Sequence, residues 1–141
     1  MSVSVFIDTN ILVYSIDHRY VEKNQSARKF LLEIQADDNI NPVISTQVLQ
    51  EFYMVATKKL KLDKIVVKNI VQEFAKMQIV NNDIKLVMSA IDISINHHLT
   101  LWDALMIAAA KRVQCSVLYS EDLHHGHIID DVQIINPFIE K

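Results

Sequence analysis

The sequence contains few residues that break helices or cross-link a chain, since its 141 residues include one glycine, two prolines and one cysteine. So little glycine and proline argues against a sandwich of many hairpins and favours long helices joined by short loops. The single cysteine, Cys115, excludes an internal disulfide, and its apolar neighbours Val113 and Val117 favour a buried thiol. The cysteine content therefore gives no indication of an oxidising compartment.

Long hydrophobic runs are also absent. The first residues, MSVSV, carry no basic segment followed by a long apolar run, so they do not resemble a secretory signal peptide. No apolar stretch is long enough to cross a bilayer without a charged residue. We therefore expect a cytoplasmic protein with no membrane association, and the length predicts one domain over residues 1–141.

Positive charge is not in excess either. The chain carries 14 lysines and arginines against 17 aspartates and glutamates, a formal net charge of −3. The overall charge therefore does not indicate nucleic-acid binding, and any such binding needs basic groups placed locally around an acidic cleft. Half of the residues are hydrophobic, which is enough for one core and too much for a disordered chain.

Apolar runs of strand length alternate with segments of helical periodicity. Strands are predicted at residues 3–7, 42–45, 79–80, 116–119 and 132–135. The predicted helix N-caps are Thr46, Asp63, Asp83 and Thr100. Residues 104–110 are apolar on every side of a helix, which indicates a central, buried one. Strands separated by helices pair in parallel, so the pattern predicts a three-layer α/β/α sandwich with a short, mainly parallel sheet.

Four acidic residues fall where such a fold forms its sites, outside the carboxyl ends of the strands. Asp8 and Asp122 follow predicted strands, Glu51 lies early in a helix that follows one, and Asp103 opens the buried helix. Carboxylates gathered at one edge repel each other, which favours a bound cation. Hard oxygen ligands suit Mg²⁺ or Mn²⁺, and such a cation can orient and acidify a water for attack on a phosphodiester.

Each acid also has a purely structural interpretation. Asp8 with Asn10 could cap a short helix, and Asp103 stands at capping-box spacing from Thr100. Glu51 taken alone is a solvated helix residue, and Asp122 a turn residue. The joint placement of the four acids, not any one of them, carries the functional interpretation.

The motifs around these acids resemble those of PIN-domain nucleases, in the family's order and spacing over essentially the whole chain. The matching segments are FIDTNIL at 6–12, QEF at 50–52, LWDALMIAAA at 101–110 and YSEDL at 119–123. Gly126 and the closing INPF at 135–138 resemble VapC-type toxins, the stand-alone bacterial branch of the family.

This resemblance implies a Mg²⁺- or Mn²⁺-dependent endoribonuclease that acts as the toxin of a type II toxin–antitoxin pair. It implies that Asp8, Glu51, Asp103 and Asp122 bind the metal and are catalytic. It also implies a homodimer, inhibited by an antitoxin protein whose tail enters the acidic cleft. The family's supporting polar residues correspond to Asn10, which could hold Asp8, and Ser120, which could bond a ligand or a metal water. A plain turn or capping role remains the alternative for both.

Two further residues are candidates for RNA contact. Lys58 follows Glu51 by seven residues, two α-helical turns along the same face, so it could reach a phosphate. His124 lies in a polar loop with His125 and His127, whose spacing fits no standard zinc pattern. A solvated helix end is the alternative for Lys58.

Two other functions are the alternatives to a toxin. A PIN nuclease of RNA processing would keep all four, and a catalytically silent PIN-like scaffold for protein interaction would not need them. Retention of four mutually repelling charges favours the nuclease over the scaffold.

Overall fold

A computed structural model describes residues 2–139 as a six-stranded sheet flanked by helices. The strands are β1 (Val3–Ile7), β2 (Ile40–Ser45), β3 (Gln78–Val80), β4 (Val117–Tyr119), β5 (Ile128–Ile129) and β6 (Val132–Ile135). The helices are α1 (Thr9–Tyr14), α2 (Val21–Ala36), α3 (Thr46–Met54), α4 (Lys64–Phe74), α5 (Ile84–His97) and α6 (Leu101–Arg112). Within residues 2–139, no helix combines the length and hydrophobicity that crossing a bilayer requires.

The strand order is β3-β2-β1-β4-β6-β5, and every neighbouring pair is parallel except β5 with β6. The predicted fold class is therefore confirmed. The chain starts in the middle of the sheet at β1, runs to one side through β2 and β3, and then continues on the other side from β4. The carboxyl ends of β1 and β4 thus meet at a switch point, where open α/β sheets bind their ligands.

Helix α6 supplies the centre of the core, as its sequence predicted. Seven consecutive residues, Ala104 to Ala110, are buried. The helix packs against β2, β4 and β6, where its alanines allow a close approach to the sheet. Leu118 on β4 and Phe6 on β1 are fully buried in the same core.

The caps of three helices agree with the sequence and one does not. Asp63, Asp83 and Thr100 accept backbone N–H groups at the starts of α4, α5 and α6. The prediction that Thr46 caps α3 is wrong, because the Ser45 hydroxyl accepts from the Val48 N–H at 3.3 Å. The Thr46 hydroxyl instead accepts from the N–H of Asn82 at 3.2 Å, which joins α3 to the segment after β3.

Strand β5 was not predicted. It is only two residues long and pairs with β6 through a tight turn at Asp130 and Asp131. Both turn residues have positive φ, 47° and 70°, as a type I′ hairpin turn requires. An Asp-Asp pair lacks the glycine that usually marks such a turn, so the sequence carried no clear signal.

The helical path continues without a break after α3, as a wide π-helical turn over Val55–Lys59. The Leu60 N–H donates to the Val55 carbonyl oxygen at 3.0 Å, a bond across five residues instead of four. The Thr57 hydroxyl donates to the Tyr53 carbonyl oxygen at 2.8 Å. A turn of this kind adds one residue to the helix, so every later side chain is displaced around the helix axis.

We expect replacement of Ile107 in α6 by alanine to lower the free energy of unfolding by about 2–5 kcal/mol, because the side chain is fully buried. The matched control is Ile95→Ala in α5, whose side chain is 65% exposed. It should change stability by no more than about 0.5 kcal/mol. Urea unfolding followed by circular dichroism measures both, and equal shifts would contradict the assigned core.

Candidate active site

A cleft opens at the carboxyl ends of β1 and β4, and all four candidate acids line it. The charged residues that line this cleft are Asp8, Asp17, Arg19, Glu51, Lys59, Asp103 and Asp122. They come from five separate segments of the chain, which only the fold brings together. The arrangement corresponds to the edge at which the sequence placed the four acids.

Asp8 lies at the switch point and is 4% exposed. The Ser120 hydroxyl, at the end of β4, donates to Asp8 Oδ2 at 2.6 Å. The Ser120 oxygen in turn accepts the N–H groups of Asp122 and Leu123 at 3.2 and 3.4 Å. Asp8 stands at the N-cap of α1 but makes no capping bond with its side chain, which excludes the capping interpretation. Its carboxylate is held toward β4.

Burial raises the pKa of Asp8 from 3.8 to about 7. The hydrogen bond from Ser120 opposes this increase, and the negative charges of Asp122 and Glu51 add to it. The pKa of Glu51 is raised as well, first by burial and then by the charges of Asp103 and Asp122, against the hydrogen bonds that it accepts. The negative charges around the cleft therefore act on the two more buried carboxylates, Asp8 and Glu51.

Glu51 is half-buried and anchored by two neighbours that the sequence interpretation missed. Its Oε1 accepts from Thr9 Oγ1 at 3.2 Å and from Gln47 Nε2 at 3.1 Å. The same Gln47 nitrogen donates to the Trp102 carbonyl oxygen at 3.1 Å, next to Asp103. Gln47 precedes Glu51 by four residues, one helical turn on the same face, and that spacing could have identified it.

Asp103 and Asp122 each donate a hydrogen bond from the backbone N–H, while their carboxylates are uncommitted, that is, without a described hydrogen-bond partner. The Asp103 N–H donates to the Thr100 hydroxyl at 3.2 Å, which is half of a capping box. The returning bond from the Asp103 side chain is absent. Across residues 2–139, neither the Asp103 nor the Asp122 carboxylate accepts a hydrogen bond or pairs with a cation. The purely structural interpretation of Asp103 therefore explains its N–H but not its carboxylate.

Asn10 does not make the expected contact with Asp8. Both polar atoms of its amide are buried without a hydrogen-bond partner among the described residues. Ser120 contacts Asp8 instead, because β4 lies beside β1 in parallel register. Asn10 still lines the cleft, and any role toward a ligand stays a prediction.

The structure does not place the two predicted RNA contacts at the cleft. Lys58 is exposed and outside the lining residues, whereas its neighbour Lys59 lines the cleft. The π-helical turn causes this difference, since the sequence count assumed a continuous α-helix. His124 is exposed beyond the lining residues, with its ring 6.3 Å from that of His127. Its contact with RNA stays a prediction.

The donor set of the cleft fits a hard divalent cation, since all four candidate ligands offer carboxylate oxygens. As placed, no three His, Cys, Asp or Glu side chains of residues 2–139 converge closely enough to hold a metal ion. A cation held by three of these side chains would therefore require side-chain rotation. Rotation of the uncommitted Asp103 and Asp122 carboxylates would break no hydrogen bond, while Asp8 and Glu51 are already anchored.

A family model described as PIN domain matches residues 5–128, which include all four acids. The chain belongs to the PIN domain family. No curated protein sequence matches it at a significant level.

Solved structures with this fold come from several bacteria. A toxin–antitoxin complex from Klebsiella pneumoniae is 18% identical, with coverages of 95% of this chain and 98% of its own, and gives a TM-score of 0.67. VapBC2 from Rickettsia felis, bound to a DNA fragment from its promoter, is 18% identical, with coverages of 93% and 96% and a TM-score of 0.65. Mycobacterium tuberculosis VapC20, a toxin that cleaves the sarcin-ricin loop, is 14% identical, with coverages of 82% and 88% and a TM-score of 0.66. At these identities the likeness establishes a shared fold.

The raised pKa of Asp8 predicts how the stability of the metal-free PIN domain depends on pH. The folded state binds the Asp8 proton more tightly than the unfolded state, so stability due to Asp8 is present below about pH 4 and is lost as the pH rises through about 7. The full loss corresponds to about 4 kcal/mol. In EDTA, the melting temperature of Asp8→Asn should therefore exceed that of the wild type increasingly as the pH rises from about 5 to about 8.

The control for this measurement is Asp92→Asn, an exposed aspartate of α5. It should follow the wild-type curve across the same pH range. An Asp8→Asn protein whose melting temperature runs parallel to that of the wild type would show that Asp8 ionises as freely as an exposed carboxyl group.

Proposed function

We propose that this PIN domain is a metal-dependent endoribonuclease and the toxin of a type II toxin–antitoxin pair. The observation that carries the proposal is the convergence of Asp8, Glu51, Asp103 and Asp122 on one cleft at the switch point. A scaffold gains nothing from burying one carboxylate beside three others, whereas a cation-dependent active site needs that arrangement.

In this proposal the two anchored acids and the two without hydrogen-bond partners have different roles. Ser120 holds Asp8, and Thr9 with Gln47 holds Glu51 Oε1, so these two carboxylates form a rigid base for the site. Asp103 and Asp122 complete the ligand set by side-chain rotation. Bound Mg²⁺ or Mn²⁺ would acidify a water for in-line attack on an RNA phosphodiester and neutralise charge on the leaving oxygen.

The partners follow from the same proposal. The complexes from Klebsiella pneumoniae and Rickettsia felis support an antitoxin protein as one partner, and the toxin VapC20 supports RNA as the substrate.

We propose a homodimer as the working form. Large apolar side chains exposed on α4 and α5, such as Ile65, Ile84 and Met88, offer surfaces that partner chains could cover. Light scattering tests the dimer, and a monomer at working concentration would contradict it.

The first test is cleavage of total RNA by the purified protein with Mg²⁺, with Mn²⁺ and with EDTA. Discrete fragments should appear only with metal. Asp103→Asn should lower the rate by more than about 100-fold, because it removes a ligand and not merely an outer support. Asp92→Asn, which replaces an exposed helix aspartate away from the cleft, should cleave as the wild type does. Cleavage in EDTA, or full activity of Asp103→Asn, would refute the proposal.

A second test measures metal binding without activity. Millimolar Mg²⁺ or Mn²⁺ should raise the melting temperature, because a cation binds the folded cleft in preference to the unfolded chain. Ser120→Ala should weaken the apparent metal affinity by about 10- to 100-fold, since Asp8 loses the hydroxyl that orients it. An unchanged melting temperature in saturating metal would contradict the cation site.

A further inference from the structure

An RNA strand that enters the proposed active site must approach a strongly acidic cleft. Among the described residues that line it, only Arg19 and Lys59 are positively charged. Arg19 is already engaged, because its Nε and Nη2 donate to the two carboxylate oxygens of Asp17 at 2.9 Å each. Lys59 pairs with no carboxylate of residues 2–139. Lys59 is thus the cation that the cleft can offer to a ligand.

The widened helix changes which lysine continues the face of Glu51. In a continuous α-helix, Lys58 would share the face of Glu51, and Lys59 would be turned about 80° away from Glu51. The π-helical turn Val55–Lys59 inserts one residue, so Lys59 takes the place that the α-helical count assigns to Lys58. Val55, at the start of the turn, also lines the cleft, while Lys58 does not.

The neighbouring charges agree with this placement. The pKa of Asp17 is lowered, mainly by the hydrogen bond from Arg19 and to a smaller degree by the positive charge of Lys59. Lys59 therefore lies within electrostatic reach of the loop that forms the other side of the cleft. Helical turns of this wide type are rare and are frequent at functional sites.

We propose that Lys59 binds a phosphate group of the RNA strand beside the carboxylate cluster, and that the π-helical turn serves to place it there. This inference rests on the proposed ribonuclease function. A lysine ammonium is a compact charge with three donors, which suits a non-bridging phosphate oxygen without selecting a base. Lys59 thus contributes affinity and strand position, and the choice of sequence is made elsewhere.

The experiment measures the affinity of a fluorescein-labelled single-stranded RNA by anisotropy, in Mg²⁺ and over a series of salt concentrations. All proteins carry Asp103→Asn, so that the RNA stays intact. Lys59→Gln should weaken binding about tenfold at low salt and reduce the slope of log Kd against log salt by about 0.7, the value for one phosphate contact on a single strand. Lys59→Arg should restore the slope, because it keeps the charge.

Lys58→Gln is the matched control, since it removes the same charge from the adjacent residue. It should bind within about twofold of the parent and keep the parent's salt slope. Equal losses in the two glutamine variants, or a larger loss in Lys58→Gln, would overturn the inference even if the wild type cleaves RNA. A wild type that neither binds nor cleaves any RNA would instead refute the proposed function, and the inference with it.

Discussion

The position of Asp8 is the constraint on which the rest of the site depends. β1 and β4 are neighbours because the chain runs to one side of the sheet before returning to the other. This change of direction leaves a crevice at the carboxyl ends of the two strands. Asp8 lies there and accepts a hydrogen bond of 2.6 Å from Ser120. A carboxyl group buried there must either carry a proton or face a positive charge. A site that cleaves phosphodiesters with a bound cation supplies that positive charge.

Several buried polar side-chain atoms at the site lack the hydrogen-bond partners that such atoms have in an ordinary core. Among the described residues, four buried side-chain atoms have no hydrogen-bond partner: both amide atoms of Asn10, Gln47 Oε1 and Asn82 Oδ1. Asn10 lines the cleft and Gln47 contacts Glu51, so three of the four lie at the site. Most buried polar groups in proteins are hydrogen-bonded, so exceptions that gather around one cleft point to function. Helix α6, which carries Asp103, continues into the buried apolar stretch from Ala104 to Ala110. Burial of this stretch in the core fixes the helix on which Asp103 lies.

The burial pattern can be predicted from the sequence, whereas contacts decided by tertiary register cannot. Apolar periodicity reports burial directly, so the element order and the placement of the acids at one edge followed from it. Asn10 and Ser120 both adjoin strand ends, and only the alignment of β1 with β4 decides that Ser120 contacts Asp8. Ser45 and Thr46 are both hydroxyl residues one position apart, a difference that local propensity does not resolve. The π-helical turn is invisible to any count that assumes 3.6 residues per turn.

The charge of the cleft links its two proposed ligands. Five acids and two bases line it, an excess of three negative charges when all are ionised, so the cleft attracts a cation and repels an RNA strand. A divalent cation cancels two of those charges, and the burial of Asp8 makes that neutralisation more favourable than it would be in water. Under the proposed function, a bound metal would therefore strengthen RNA binding, and RNA would strengthen metal binding by the same factor. The overall charge of −3 gives no indication of this coupling between cation and RNA, because the coupling depends on the charges around the cleft and not on their sum over the chain.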